Sequence, residues 1–226
     1  MCGICGIFGA ADIKTMRKML SLIAHRGPDD EHFVSGRGFC LGARRLSIID
    51  VEGGRQPIGN EDGTIWVAQN GEIYNFPSMH EKLLKEGHAF KTRCDTEVLV
   101  HLYESAGDNF YEEANGLFAI SLWDDNKKKG ILVRDRTGKK PLYYTSVNGN
   151  LYYASEIKCL LEVPGFERKL NLEALHYFLS YKHVPHPLSI FRGIEMLPPG
   201  SALFYEPGKQ LRIIKYWEAD FSPMDG

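Results

Sequence analysis

Cysteine is scarce and scattered in this chain, with five in 226 residues: Cys2, Cys5, Cys40, Cys94 and Cys159. An odd set at irregular spacing excludes a complete disulfide framework and suits a reducing compartment. The thiols are then left for chemistry or packing. No apolar run approaches the roughly 20 residues of a membrane span. The N-terminus lacks a basic stretch followed by an apolar core, so no secretory signal is expected. Neither sign of charge dominates: 27 Lys and Arg stand against 29 Asp and Glu, a net charge of −2. That balance gives no electrostatic reason to expect nucleic acid or a membrane surface as partner. Internal repeats and low-complexity segments are missing too. What remains is an ordinary globular protein, 43% apolar and 25% charged, expected in the cytoplasm.

The apolar pattern predicts strands at Ile4 to Ala10, Phe39 to Ile49 and Thr64 to Gln69. Further strands are predicted at Leu117 to Trp123, Gly130 to Arg134, Leu142 to Ser146 and Leu151 to Ala154. Helical spacing marks Thr15 to Ala24, Phe76 to Glu86, Thr96 to Ser105, Glu156 to Glu162 and Leu172 to Tyr181. Asp124-Asp125-Asn126 and Asn148-Gly149-Asn150 suit hairpins. A proline-rich connector covers His183 to Gly200, and two short strands follow near Ala202 to Tyr205 and Leu211 to Tyr216. Strands and helices do not alternate regularly, and hairpins are frequent. The fold class is therefore α+β with mainly antiparallel sheet, two sheets stacked under covering helices.

Several residue groups bear on chemistry. Cys2 follows the initiator methionine directly. Removal of Met1 would place a thiol and a free α-amine on one Cα, and an α-amine titrates near about pH 8, low enough to act as base. A buried strand residue is the competing reading. Asn70-Gly71-Glu72 is either a hairpin turn or a pair of donors for a developing oxyanion. Arg44 and Arg45 are strand neighbours, so one faces a pocket or core and the other faces away. Either an internal salt bridge or a bound carboxylate would satisfy the inward one. Asp95 precedes a helix and would cap it or bind an ammonium group. No metal site is expected: Cys2-Gly3-Ile4-Cys5 lacks a second ligand pair, and His183-Val184-Pro185-His186 is a lone pair in a loop. Gly138-Lys139-Lys140 lacks the Ser or Thr of a phosphate-binding loop.

Eight segments occur together in order. They begin with Met1-Cys2-Gly3-Ile4, His25-Arg26-Gly27-Pro28-Asp29, Arg45-Leu46-Ser47-Ile48-Ile49-Asp50 and Asn70-Gly71-Glu72-Ile73-Tyr74-Asn75. They continue with Asp95-Thr96-Glu97, Gly116-Leu117-Phe118-Ala119, the run from Arg134 to Tyr144, and Ala154-Ser155-Glu156-Ile157-Lys158. Together they resemble the glutaminase domain of class II glutamine amidotransferases, within the N-terminal-nucleophile hydrolases. Arg26-Gly27-Pro28-Asp29 and the segment near Pro141 are similar to the asparagine synthetase branch.

The resemblance implies a four-layer αββα sandwich. It implies Cys2 as nucleophile, with Asn70 and the Gly71 N–H as oxyanion hole. Arg45, Ile48, Ile49, Glu72 and Asp95 are implied to bind glutamine, a zwitterion that needs both a cation and anions. The reaction implied is glutamine hydrolysis through a γ-glutamyl thioester. It needs no cofactor, whereas ATP and Mg are expected only in a synthetase domain absent from this chain. The implied partners are glutamine and that C-terminal synthetase domain, with pairing to a second copy of the chain left open. The Ser-Gly-Gly-x-Asp-Ser loop of such a domain does not occur here. Residues 1–210 are therefore expected to form the glutaminase domain and 211–226 a linker, in a truncated or stand-alone half. A different acceptor acid, or an amidase acting alone, is the alternative.

Overall fold

A computed structural model describes residues 2–47, 50 and 53–222 of the chain. Twelve strands occur among the described residues. They are β1 (Gly3–Phe8), β2 (Asp30–Gly36), β3 (Phe39–Arg45), β4 (Ile58–Gly59), β5 (Ile65–Ile73) and β6 (Gly116–Asp124). The rest are β7 (Lys129–Arg134), β8 (Tyr143–Val147), β9 (Asn150–Ala154), β10 (Glu195–Met196), β11 (Ser201–Tyr205) and β12 (Arg212–Lys215). The helices are α1 (Ile13–Leu22), α2 (Phe76–Lys85), α3 (Asp95–Ala106), α4 (Ile157–Leu160) and α5 (Leu172–Tyr181).

The strands form two six-stranded sheets, ordered β10-β8-β9-β1-β3-β2 and β12-β11-β7-β6-β5-β4. Every pairing is antiparallel. Side chains alternate across each strand. Ile4, Phe8, Leu41 and Ala43 of the first sheet meet Ala68, Ala119, Trp123 and Leu132 of the second. On the outer face of the first sheet, Cys5, Ile7 and Cys40 pack against Met16, Met19 and Leu20 of α1 and Leu160 of α4. On the outer face of the second, Val67, Ile120 and Leu122 pack against Met79, Leu83, Val98 and Leu102 of α2 and α3. The order helix, sheet, sheet, helix is the four-layer sandwich that the resemblance implies. With both faces of the central strands covered, Gly3–Phe8 is buried throughout and shows no polar alternation.

Element ends follow local chemistry. α1 starts two residues before the expected Thr15, because the Asp12 carboxylate accepts the Lys14 and Thr15 N–H groups, each at 3.1 Å. The Asn148-Gly149 hairpin forms as expected, both residues at positive φ and Val147 opposite Asn150. β3 is shorter than expected, ending at Arg45. β2 was not anticipated. It is an edge strand, half-buried to exposed along its length, so it carries no apolar signature. β12 pairs with β11 at the edge of the second sheet.

Phe8 is fully buried between the sheets, with its ring centroid 5.5 Å from Trp123 and 5.1 Å from Tyr153. Phe8→Ala is expected to destabilise the fold by about 3–5 kcal/mol, seen as a lowered urea midpoint at unchanged slope.

Candidate active site

The N-terminus is held at a fixed point. β1 lies between β3 and β9, and its last pair with β3 is Gly3 opposite Arg44. The Ile4 N–H donates to Ser155 Oγ at 3.0 Å, and the Ser155 N–H donates back to the Ile4 carbonyl at 2.9 Å. Cys2 extends one step beyond, half-buried, on the same side as Ile4 and so toward the second sheet. Arg26 Nε donates to the Cys2 carbonyl at 3.0 Å. The Cys2 thiol lies 3.7 Å from the Leu46 carbonyl, as its donor.

Arg26 is itself fixed. Its Nη1 reaches Glu156 Oε1 at 3.1 Å; His25 Nε2 lies 2.9 Å from the same oxygen, and Lys158 Nζ is 3.0 Å from the other. Burial alone would raise the Glu156 carboxyl, but hydrogen bonds from Lys158, Arg26 and His25 hold it below the usual range. Gly27 lies against the β3 backbone, and a Cβ there would come within 2.3 Å of the Arg44 carbonyl carbon. The Asp29 N–H donates to the Arg45 carbonyl at 3.1 Å, and its carboxylate accepts the Ser47 N–H at 2.8 Å. Two motifs without a stated role, His25 to Asp29 and Ala154 to Lys158, thus anchor the backbone at Cys2 and Ile4 and the end of β3.

The strand register separates the two arginines. Arg44 shares a face with Cys40 and Gly42, toward α1. It donates to the Leu20 carbonyl at 3.2 Å and forms an ion pair with Glu31. Arg45 shares the face of Leu41 and Ala43, toward the second sheet. It is 5% exposed, and its Nη2 donates to the Asp50 carbonyl at 2.6 Å.

Asn70 and Gly71 are not a hairpin turn. They lie inside β5, opposite Ala119 and Phe118 of β6. Long-range pairing here overrides the local turn preference. Gly71 has φ of +153°, and a Cβ on it would fall 1.9 Å from the Leu117 carbonyl oxygen. No other residue fits there. Asn70 shares the inner face with Ala68. Its side chain is fully buried, yet neither its oxygen nor its nitrogen has a hydrogen-bond partner among the described residues.

Asp95 does not cap α3. Cys94 occupies the N-cap position and makes no side-chain cap. The Asp95 carboxylate turns toward β5, accepting the Ile73 N–H at 2.9 Å and Gln69 Nε2 at 3.2 Å. The Cys94 thiol lies 3.5 Å from its other oxygen, as donor.

One pocket at the seam of the two sheets is lined by Cys2, Arg45, Leu46, Gln56, Gly71, Glu72, Cys94 and Asp95. It unites the Cys2 and Cys94 thiols, one buried cation and two carboxylates, with Cys2 just before β1, Arg45 on β3, Glu72 on β5 and Asp95 at the start of α3. Asn70 adjoins it through Gly71. The expected residues Ile48 and Ile49 lie outside the described residues. Leu46, Gln56 and Cys94 were not anticipated, nor were Arg26, Ser155 and Glu156 as anchors. All five cysteines are free, and only Cys2 among them is not buried. Burial pushes Cys40 and Cys159 up to about 12 and Cys94 up to about 11. Among the described residues, the one group of three metal-ligating side chains with converging donor atoms is His88, His101 and Glu104, outside this pocket.

Comparison with known proteins places the chain in a family. Glutamine-hydrolysing asparagine synthetase 1 of Bacillus subtilis is 36% identical over 231 residues, covering 99% of this chain and 36% of that protein. Asparagine synthetase 2 of the same organism is 46% identical over 180 residues, covering 76% of this chain and 24% of its own length. The chain thus spans only about a quarter to a third of these relatives. The solved structure of B. subtilis glutamine phosphoribosylpyrophosphate amidotransferase superposes with a TM-score of 0.71 over 96% of this chain and 50% of that one. At 18% identity that likeness concerns the fold. The model of the glutamine amidotransferase domain matches residues 1–217, and the chain belongs to that family.

Proposed function

We propose that this chain hydrolyses glutamine to glutamate and ammonia at Cys2. The observation that carries this reading is the single pocket joining the Cys2 thiol to Arg45, Glu72 and Asp95. Free glutamine carries an α-carboxylate and an α-ammonium, and this pocket offers a guanidinium for the first and carboxylates for the second. The side-chain amide of a glutamine so held extends toward the thiol.

Once Met1 is lost, the α-amine of Cys2 takes the thiol proton. The thiolate adds to the amide carbon, and the negative charge moves to the amide oxygen. The buried Asn70 amide has an Nδ2 donor with no partner among the described residues. A donor left unsatisfied costs about 1–3 kcal/mol, which a substrate oxyanion would recover. Collapse of the intermediate, with the proton passed to the leaving nitrogen, releases ammonia and leaves a thioester that water cleaves. Arg26, through the Cys2 carbonyl, holds the nucleophile in register for both steps.

The relatives named as glutamine-hydrolysing asparagine synthetases support a wider role. Ammonia made here would pass to an ATP-dependent synthetase domain that amidates aspartate. The five free thiols support a cytoplasmic setting.

Four outcomes test this. Arg45→Ala should raise KM for glutamine about 10- to 100-fold, with kcat less affected, in a glutamate-release assay. Unchanged KM would exclude the zwitterion pocket. Asn70→Ala should lower kcat about 10²- to 10³-fold. In native protein near neutral pH, iodoacetamide should modify one thiol, located at Cys2 by peptide mass, because burial keeps the other four protonated and shielded. Intact mass should show Met1 absent from active protein, and a preparation retaining Met1 should release no glutamate.

A further inference from the structure

On the opposite side of the second sheet, three side chains converge with no part in the glutamine pocket. His101 and Glu104 stand three residues apart on α3 and so share a face. His88 comes from the turn after α2, where its N–H donates to the Leu83 carbonyl at 3.1 Å. Donor atoms of His88, His101 and Glu104 lie within 4.8 Å of one another. Glu104 Oε2 is the common point, 2.8 Å from His101 Nδ1 and 3.3 Å from His88 Nδ1. Ligands around a tetrahedral zinc at about 2.0–2.1 Å are separated by about 3.3 Å.

Each of these groups is also oriented from behind. Ser105 Oγ lies 2.9 Å from His88 Nε2, leaving Nδ1 to face inward. Asn60 Nδ2 donates to Glu104 Oε1 at 2.9 Å, which directs Oε2 inward. His101 is 1% exposed, and its Nε2 has no hydrogen-bond partner among the described residues. Glu97 Oε1 stands 3.9 Å from that nitrogen. The Glu97 carboxylate is fixed by the N–H groups of Lys91 and Thr92, each at 2.7 Å, and by the Thr92 hydroxyl. With its proton on Nδ1, His101 donates to Glu104 Oε2; with the proton on Nε2, facing Glu97, the Nδ1 lone pair points at that carboxylate oxygen. Two lone pairs do not face each other at 2.8 Å unless a cation or proton lies between them. Two imidazoles and a carboxylate converge here, with His88 and Glu104 hydrogen-bonded from their far sides and His101 facing the Glu97 carboxylate at 3.9 Å, which is the donor set of a zinc-class site.

We propose that His88, His101 and Glu104 bind one divalent cation of the zinc class, with the remaining coordination position open to solvent. The ion clips α3 to the turn after α2 and, through Asn60, to the turn before β5. The proposal does not depend on the glutaminase reading. The test is zinc binding by chelator-treated, full-length protein carrying Cys2→Ser, which removes the one accessible thiol. One equivalent of Zn²⁺ is expected, with a raised Tm, and a Co²⁺ derivative should show d–d bands without a thiolate charge-transfer band. His88→Ala, at a half-buried position, should weaken binding at least tenfold, and Ser105→Ala about 10- to 100-fold. No binding near one equivalent would overturn the proposal, leaving a proton as the group that joins the cluster. Undiminished binding by both His88→Ala and Glu104→Gln would overturn it too, as would a thiolate band.

Discussion

The hydrogen bond from Arg26 to the Cys2 carbonyl governs much of this structure, because a chain end is otherwise the least ordered part of a protein. Strand β1 supplies the first restraint, paired on both edges and covered on both faces. Its pairing with β3 stops at Gly3, so the residue before it needs a separate anchor. Arg26 supplies one from a segment 24 residues away, and Glu156 steadies Arg26 from 130 residues away. The thiol is then positioned by the same network that builds the first sheet, without spending a side chain of its own on the purpose.

The pocket lies at the seam between the sheets, which sets its electrostatics. Arg45 is almost fully buried and Asp95 equally so. Charges withdrawn from water are costly unless hydrogen bonds replace the lost hydration. Here they do: the Asp50 carbonyl accepts from Arg45, and Ile73 and Gln69 donate to Asp95. Because these partners are backbone groups or fixed side chains, the charges keep their separation with or without a substrate. That preorganisation favours a ligand with matching charge spacing and leaves little reorganisation at the moment of reaction. The Asn70 amide differs, since its donors and acceptor have no such partner among the described residues.

Much of this was legible in the chain, and the illegible parts share a cause. The helices and most strands follow from periodicity, and the two-sheet class follows from the hairpins. Period-two alternation shows that Arg44 and Arg45 diverge, but only the β1–β3 register and the packing around it fix which one faces inward. Asn70-Gly71 carries a strong turn signal, yet pairing with β6 keeps it extended. Asp95 carries a capping signal, yet its carboxylate serves the Ile73 N–H. In both cases a short-range preference lost to a contact between distant segments. Edge strand β2 was hidden because half-exposed residues leave no apolar pattern. The Arg26 and Glu156 anchor joins three segments whose proximity exists only in the folded chain.

The divergence of the two arginines also makes the site a matter of parity. Arg44 meets Glu31 and the end of α1, while Arg45 meets the pocket. Adding or deleting one residue in β3 between Gly42 and Arg44 would exchange their surroundings without altering either side chain. After an insertion the guanidinium facing the pocket would be that of Arg44, and Arg45 would face away from it. An even change would restore the facing and shift the strand by a whole pleat. The end of this strand therefore tolerates substitution more readily than any change in length, and families built on it should differ here in residues rather than in spacing.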